Sequence, residues 1–247
     1  MGDLTPPAWH SRGSTCLAYR FRAGTGPTLV FFPGYASDMQ GTKALALDEW
    51  AAKTGRAMLR FDYSGCGESE GNFADGTLDR WRSDALSVIE SVTSGPLLLV
   101  GSSMGGWLML LAALTLGDRV KGLVGIAPAP DFTQWGFSDA EKGVLRDTGR
   151  LLRPSDYGPE PMLTTRAFWE SGKANLLLGG SIAINCPVRL LHGMRDADVP
   201  WATSNRLAES LCSDDVQVVL VKDGDHRLSR SQDLDLLVRT VAHLLES

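Results

Sequence analysis

The 247 residues are enough for one α/β domain with a sizeable core and too few for two ordinary ones. The 24 Lys and Arg against 29 Asp and Glu leave a net charge of −5 with no basic run, which argues against a nucleic acid or an anionic membrane surface as partner. Hydrophobic residues make up 43%, but the longest apolar run, Trp107 to Leu114, is far short of a membrane span, so no stable membrane insertion is expected.

The first residues, Met-Gly-Asp-Leu-Thr-Pro-Pro, have neither the apolar centre of a signal peptide nor the bias of a transit peptide. Cys16, Cys66, Cys186 and Cys212 are scattered without metal-ligand spacing. Reduced thiols in a cytoplasmic or similarly reducing compartment are the expectation, with no metal site.

Strands are expected at Cys16–Arg22, Thr28–Phe32, Ala57–Phe61, Leu97–Gly101, Gly122–Ala127, Val188–His192 and Gln217–Val221. Helical patterns fill Lys43–Thr54, Leu78–Thr93, Met104–Leu116, Trp201–Leu211 and Asp233–Leu245 between and after them. Continuous apolar runs such as Leu97-Leu98-Leu99-Val100 suit strands buried on both faces. The alternation predicts a mostly parallel sheet with helices on both sides. From about Asp131 to Cys186 no clear strand is visible, but Phe132, Trp135, Phe137, Tyr157, Phe168 and Trp169 are. A segment of this length is either a functional lid or an insertion of short helices, whose aromatics pack it onto the body. The expected organisation is a single domain, 1–247, with a lid insertion at about 131–186.

Chemistry is concentrated where strands end. Leu97–Val100 runs into Gly101-Ser102-Ser103-Met104-Gly105-Gly106 and then an apolar helix, which is G-x-S-x-G in the strand–turn–helix setting that gives it meaning. A nucleophile on so tight a turn needs small residues two before and two after it, and Gly101 and Gly105 supply them. Ser103 is the expected nucleophile; Ser102 occupies the variable position before it. The helix that follows aims its N-terminus at the site, so the Met104 N–H is one expected oxyanion donor. The second is the Tyr35 N–H, in the loop Pro33-Gly34-Tyr35 after the strand Thr28–Phe32.

On such a fold the acid follows a later strand and the histidine comes near the end. Of four histidines, only His226 follows the last strand and precedes the last helix. His10 falls in the N-terminal tail, His243 on the closing helix, and His192 at a strand end where a satisfied structural imidazole is expected. For the acid, Asp196 follows the turn after Val188–Leu191 and is preferred. Asp198, just before Val199-Pro200, suits a loop or helix-start role; Asp131 is a third choice, and Asp225 is expected to point away from His226. The loop Phe61-Asp62-Tyr63-Ser64-Gly65-Cys66-Gly67-Glu68-Ser69 is read as structural.

Together, Phe32-Pro33-Gly34-Tyr35, Arg60-Phe61-Asp62-Tyr63-Ser64-Gly65, the elbow with its flank Trp107-Leu108-Met109-Leu110, His192-Gly193-Met194-Arg195-Asp196 and Val199-Pro200-Trp201 resemble one branch of the α/β-hydrolases. It is the branch of the mitochondrial palmitoyl-protein thioesterase, also described as an acyl-glucuronide esterase, and the resemblance runs from about Thr28 to Leu245. It implies the α/β-hydrolase fold, a Ser103–Asp196–His226 triad, no cofactor, and a small-molecule ester or thioester, or an acylated protein, as substrate. The mitochondrial proteins carry a targeting extension absent here, so the chain is expected to be a bacterial relative or a mature matrix form. The insertion is its least similar part. Against this stand a general carboxylesterase for small esters or lactones and, more remotely, a non-catalytic ligand-binding protein.

Overall fold

A computed structural model of the chain describes residues 6–155 and 161–246. Tyr157 and the first five residues lie outside the described residues. Eight strands form one sheet in the order β1-β2-β4-β3-β5-β6-β9-β10. These are β1 (Ala8–Arg12), β2 (Thr15–Arg22), β3 (Thr25–Phe32), β4 (Arg56–Phe61), β5 (Leu97–Ser102), β6 (Val120–Ile126), β9 (Val188–Gly193) and β10 (Val216–Val221). From β4 to β10 every pairing is parallel; β2 runs antiparallel to both β1 and β4. Strand β1 was not expected from the sequence, which had read His10 as part of a tail. Its side chain instead reaches the body, with Nε2 2.6 Å from Ser87 Oγ.

The period of two explains both cores. On β3 and β5, Val30, Phe32, Leu97 and Leu99 face one side, where they meet α2 (Leu78–Val92), α3 (Met104–Leu116) and α7 (Ala202–Ser210). Leu29, Phe31, Leu98 and Val100 face the other, against α1 (Thr42–Thr54) and α8 (Ser231–Glu246). Each such side chain contributes about 1.5–3 kcal/mol on burial. Helix α3 is apolar all round, buried from Met104 to Ala113, because the sheet, α2 and the insertion enclose it.

The insertion corrects one expectation: it does contain strands. It comprises α4 (Phe132–Trp135), α5 (Asp139–Thr148), an antiparallel pair β7 (Arg150–Arg153) and β8 (Met162–Thr165), and α6 (Arg166–Ala174). Strands of four residues show too few alternations to stand out from a loop. Among the described residues, four of its aromatics pack into hydrophobic clusters. Phe132 and Phe168 join the core beside Tyr35 and Trp81, while Phe137 and Trp169 close a satellite cluster with Leu145 and Leu151. A capping box, Ser138 with Glu141, starts α5, and Arg153 grips Glu141 at 2.7 and 2.8 Å. That ion pair lowers the Glu141 carboxyl to about 2.

Candidate active site

The site is assembled at the carboxyl ends of β3, β5, β9 and β10, where an open parallel sheet presents its loops. Ser103 ends the turn after β5 in a positive-φ conformation, φ 54° and ψ −122°, that a non-glycine residue rarely adopts. The surrounding glycines make that possible. A Cβ on Gly101 would overlap Gly105 O, and one on Gly105 would overlap both Phe32 O and Pro33 O. The elbow is tied down by Ser103 N–H to Ile126 O at 2.9 Å, and by Gly106 and Ala129 N–H to Ser103 O. Gly105→Ala is therefore expected to lower stability by at least about 1–3 kcal/mol and to displace the serine, a change that thermal melting and ester hydrolysis together would detect. A variant with wild-type melting and rate would mean that the elbow can give way.

His226, on the loop after β10, places Nε2 3.1 Å from Ser103 Oγ and Nδ1 2.7 Å from Asp196 Oδ2. The loop is fixed by Asp225, whose Oδ1 accepts the Leu228 N–H at 3.0 Å, so this carboxylate points away from the imidazole as expected. The Asp196 side chain is fully buried and surrounded by donors. Its Oδ1 accepts the amides of Asp198 and Val199 at 2.9 and 2.8 Å, and its Oδ2 also lies 3.1 Å from His192 Nε2. Burial pushes this carboxyl up, but the bonds from His192, His226 and the Val199 amide outweigh it and hold it below the usual carboxylate range. A depressed value means its stabilising contribution is complete above about pH 4 and is lost only as the pH falls below that.

The alternatives for the acid have other tasks. Asp131 spends both oxygens on the Leu177 and Leu178 amides, each at 2.8 Å, tying the far end of the insertion back to the exit of β6. Asp198 is exposed and is not the N-cap of α7, which is Trp201. His192 is fully buried and bonded, as expected of a structural imidazole, but its contact with Asp196 was not anticipated. Nε2 faces two acceptors, Asp196 Oδ2 and Val199 O, so it carries the proton, and Nδ1 accepts from Ser204 Oγ at 2.7 Å. The pattern H-G-x-x-D held that signal: a strand-end imidazole four residues before the acid.

The second loop approaches from β3. A Cβ on Gly34 would come within 3.3 Å of Ser102 O and 3.6 Å of Ser103 Cβ, so loop and elbow are in contact. A turn closed by Ser37 N–H to Gly34 O leaves the Tyr35 N–H unused by the turn, and Met104 is the first residue of α3, with no intrahelical acceptor. The loop Asp62–Ser69 buttresses this one: Asp62 accepts the Met39 and Glu68 amides, and Ser64 is buried against Asp84. Burial pushes the Cys66 thiol up to about 12, so it is inert. All four cysteines are free of disulfides.

A cavity of about 580 Å³ opens over Ser103 and His226. Its lining residues divide by chemistry into an apolar arm, Tyr35, Phe73, Met162 and Leu163, and a polar arm, Ser37, Thr42, Lys43, Arg227 and Ser229. Lys43 donates to Arg227 O at 2.6 Å, and burial, assisted by Arg227, pushes its ammonium down to about 8. Asp196, Asp198 and His226 also bring three ligand-type atoms within 4.8 Å of one another. With His226 Nδ1 and both Asp196 oxygens engaged in hydrogen bonds, the donor set fits a proton relay rather than a resident metal.

A mostly parallel sheet carrying a serine on a strained elbow and a histidine after its last strand defines an α/β-hydrolase. The family model described as "Serine aminopeptidase, S33" (Hydrolase_4) matches residues 25–166, and the chain belongs to this family of hydrolases. It is 43% identical to the mitochondrial palmitoyl-protein thioesterase ABHD10 of Homo sapiens over 234 residues, 93% of this chain and 76% of that protein. The structure of mouse alpha/beta hydrolase domain-containing protein 10 superposes with a TM-score of 0.92 at 40% identity, covering 98% of this chain and 99% of that one. Est1E of Butyrivibrio proteoclasticus, solved with ferulic acid, shares the fold alone, with a TM-score of 0.81 at 20% identity over 96% of both chains. The chain is thus an enzyme, a hydrolase of the esterase and thioesterase type. Among the described residues no helix is long and apolar enough to cross a membrane.

Proposed function

We propose that the chain cleaves thioester and carboxylic ester bonds of acylated substrates through an acyl-enzyme on Ser103. The observation that carries this reading is the unbroken line Ser103 Oγ–His226 Nε2 and His226 Nδ1–Asp196 Oδ2, at 3.1 and 2.7 Å, opening onto the cavity. His226 Nε2 takes the Ser103 proton as Oγ attacks the carbonyl carbon. Asp196 accepts from Nδ1–H, keeps the tautomer and stabilises the imidazolium. The N–H groups of Tyr35 and Met104 stabilise the oxyanion, a contribution of about 10²–10³ in rate per donor. As the tetrahedral species collapses, the bond to the leaving thiolate or alkoxide breaks, and His226 returns the proton to it. Water then repeats the sequence on the acyl-serine and releases the acid. Each step uses side chains and backbone of this chain, without metal or organic cofactor.

The acyl chain fits the apolar arm, under residues 161–163 of the insertion, which acts as a lid. The relatives, named as palmitoyl-protein thioesterases, favour a long acyl thioester on a protein. The polar arm favours a second reading: with Lys43 and Arg227 it suits a polar, anionic leaving group such as the sugar acid of an acyl glucuronide. The four free thiols suit a reducing compartment, cytoplasm or matrix.

The test is a rate series at one pH on matched p-nitrophenyl esters and acyl thioesters from about two to sixteen carbons, with Ser103→Ala as blank. We expect kcat/KM to peak on long thioesters, the gain per buried methylene approaching ~0.8 kcal/mol, or about fourfold, until the arm is full. A peak on short oxygen esters would keep the acyl-enzyme and remove the long-chain thioesterase reading.

A further inference from the structure

Tyr35 has two parts that look in different directions. Its backbone follows Gly34, the residue that touches the elbow, while its side chain turns into the body and ends on the insertion. The ring sits among Phe73, Trp81, Phe132 and Phe168, with centroids 5.2, 5.8, 6.2 and 4.9 Å away. The hydroxyl donates to the main-chain oxygen of Leu163, in β8, at 2.6 Å. Burial raises this hydroxyl above its ordinary value, so it remains a donor across the working pH range.

The partner of that bond matters. Strands β7 and β8 form a two-stranded sheet separate from the main one, and an isolated hairpin of this size is marginal without packing. Its Leu151 packs in the satellite cluster and its Arg153 over Phe137 and onto Glu141, contacts that hold the hairpin to the rest of the insertion rather than to the sheet. On the cavity side, Met162 and Leu163 line the cavity together with Phe73, whose segment Phe73–Asp75 β8 touches. The Tyr35 hydroxyl therefore pins the strand that forms the wall to the loop that approaches the serine.

We propose that Tyr35 is a positioning residue for acyl-chain selectivity: its hydroxyl fixes the Met162–Leu163 wall of the apolar arm. The inference rests on the acyl-enzyme reading above. Short acyl groups do not reach this wall, whereas long ones depend on it.

Tyr35→Phe keeps the ring among its aromatic neighbours and removes the hydroxyl's bonds to β8, at Leu163 O and at the Thr164 side chain. Wild type, Tyr35→Phe and Ser103→Ala are compared on p-nitrophenyl acetate and octanoate, with melting curves for each. The expected result is a five- to tenfold fall, to order of magnitude, in the ratio of octanoate to acetate kcat/KM, carried mainly by a higher KM for octanoate. Tyr63→Phe removes another buried hydroxyl, bonded to Pro33 O at 3.2 Å on the same loop but not to the hairpin, and is expected to leave that ratio alone. An unchanged ratio in Tyr35→Phe, whatever its melting temperature, would overturn the proposal. So would an equal shift in Tyr63→Phe, which would make the effect one of loop stability. Hydrolysis surviving in Ser103→Ala would instead remove the acyl-enzyme reading itself, a result visible without either tyrosine variant.

Discussion

Ser103→Ala is expected to lower kcat by about 10⁶ and to abolish labelling by a fluorophosphonate, with the fold retained. The structure adds a second half to this result. Ser103 is held at φ 54° and ψ −122°, where a residue with a Cβ carries strain of order 1–3 kcal/mol. Alanine inherits that strain, whereas glycine does not. Ser103→Gly is therefore expected to be as inactive as Ser103→Ala but more stable by about 1 kcal/mol, after the extra freedom of glycine in the unfolded chain is allowed for. For a chain of this size that is a difference of about 2–4 °C in Tm, measurable in parallel melts of the two variants. Equal melting temperatures would remove the strain argument; retained hydrolysis in either variant would remove the nucleophile assignment.

The same strain explains why the elbow was readable. A conformation this demanding restricts the neighbours at fixed offsets, and Gly101 and Gly105 appear in the sequence for that reason. The central parallel strands, such as β5 and β9, were legible because they are buried on both faces and so read as continuous apolar runs. Ser103, Asp196 and His226, expected together from strand order, do come together. What was not legible lacks such restrictions. Strand β1 is itself an edge strand, paired with β2 alone, and exposes Trp9. β7 and β8 are too short for their period to show. The insertion reads from the sequence as a lid or as short helices packed by their aromatics, and among the described residues Phe132, Phe137, Phe168 and Trp169 do pack. The pocket wall comes instead from Pro161, Met162 and Leu163, with nothing in type or spacing to mark them. Asp131 was a reasonable acid by position alone; only the two amides at Leu177 and Leu178, 46 and 47 residues away, reveal its use as a clamp.

Asp196 meets His226 Nδ1, whereas Asp131 spends both oxygens on backbone amides, and this makes the second large effect specific. Asp196 Oδ1 faces two backbone N–H groups, and Oδ2 faces His226 Nδ1 and His192 Nε2. In Asp196→Asn the carbonyl oxygen must stay with the two amides, since a side-chain NH₂ there would meet two donors. The NH₂ is then forced towards the imidazoles. His226 can accept it at Nδ1 only by moving its proton to Nε2, and an Nε2–H cannot take the proton of Ser103. We expect kcat to fall about 10⁴-fold with the fold preserved, the rate loss expected when a correctly placed imidazole is held in the wrong tautomer. Asp198→Asn is the matched control, because it keeps the backbone amide that Asp196 uses and alters a carboxylate outside the proposed relay. Its kcat is expected to stay within about tenfold of wild type. Single-turnover acylation and nitrogen chemical shifts of the His226 ring would read the two variants directly: Asp196→Asn should slow acylation and move the ring proton to Nε2. A comparable loss of acylation rate in Asp198→Asn would mean that the acid function is shared across the loop rather than held by Asp196.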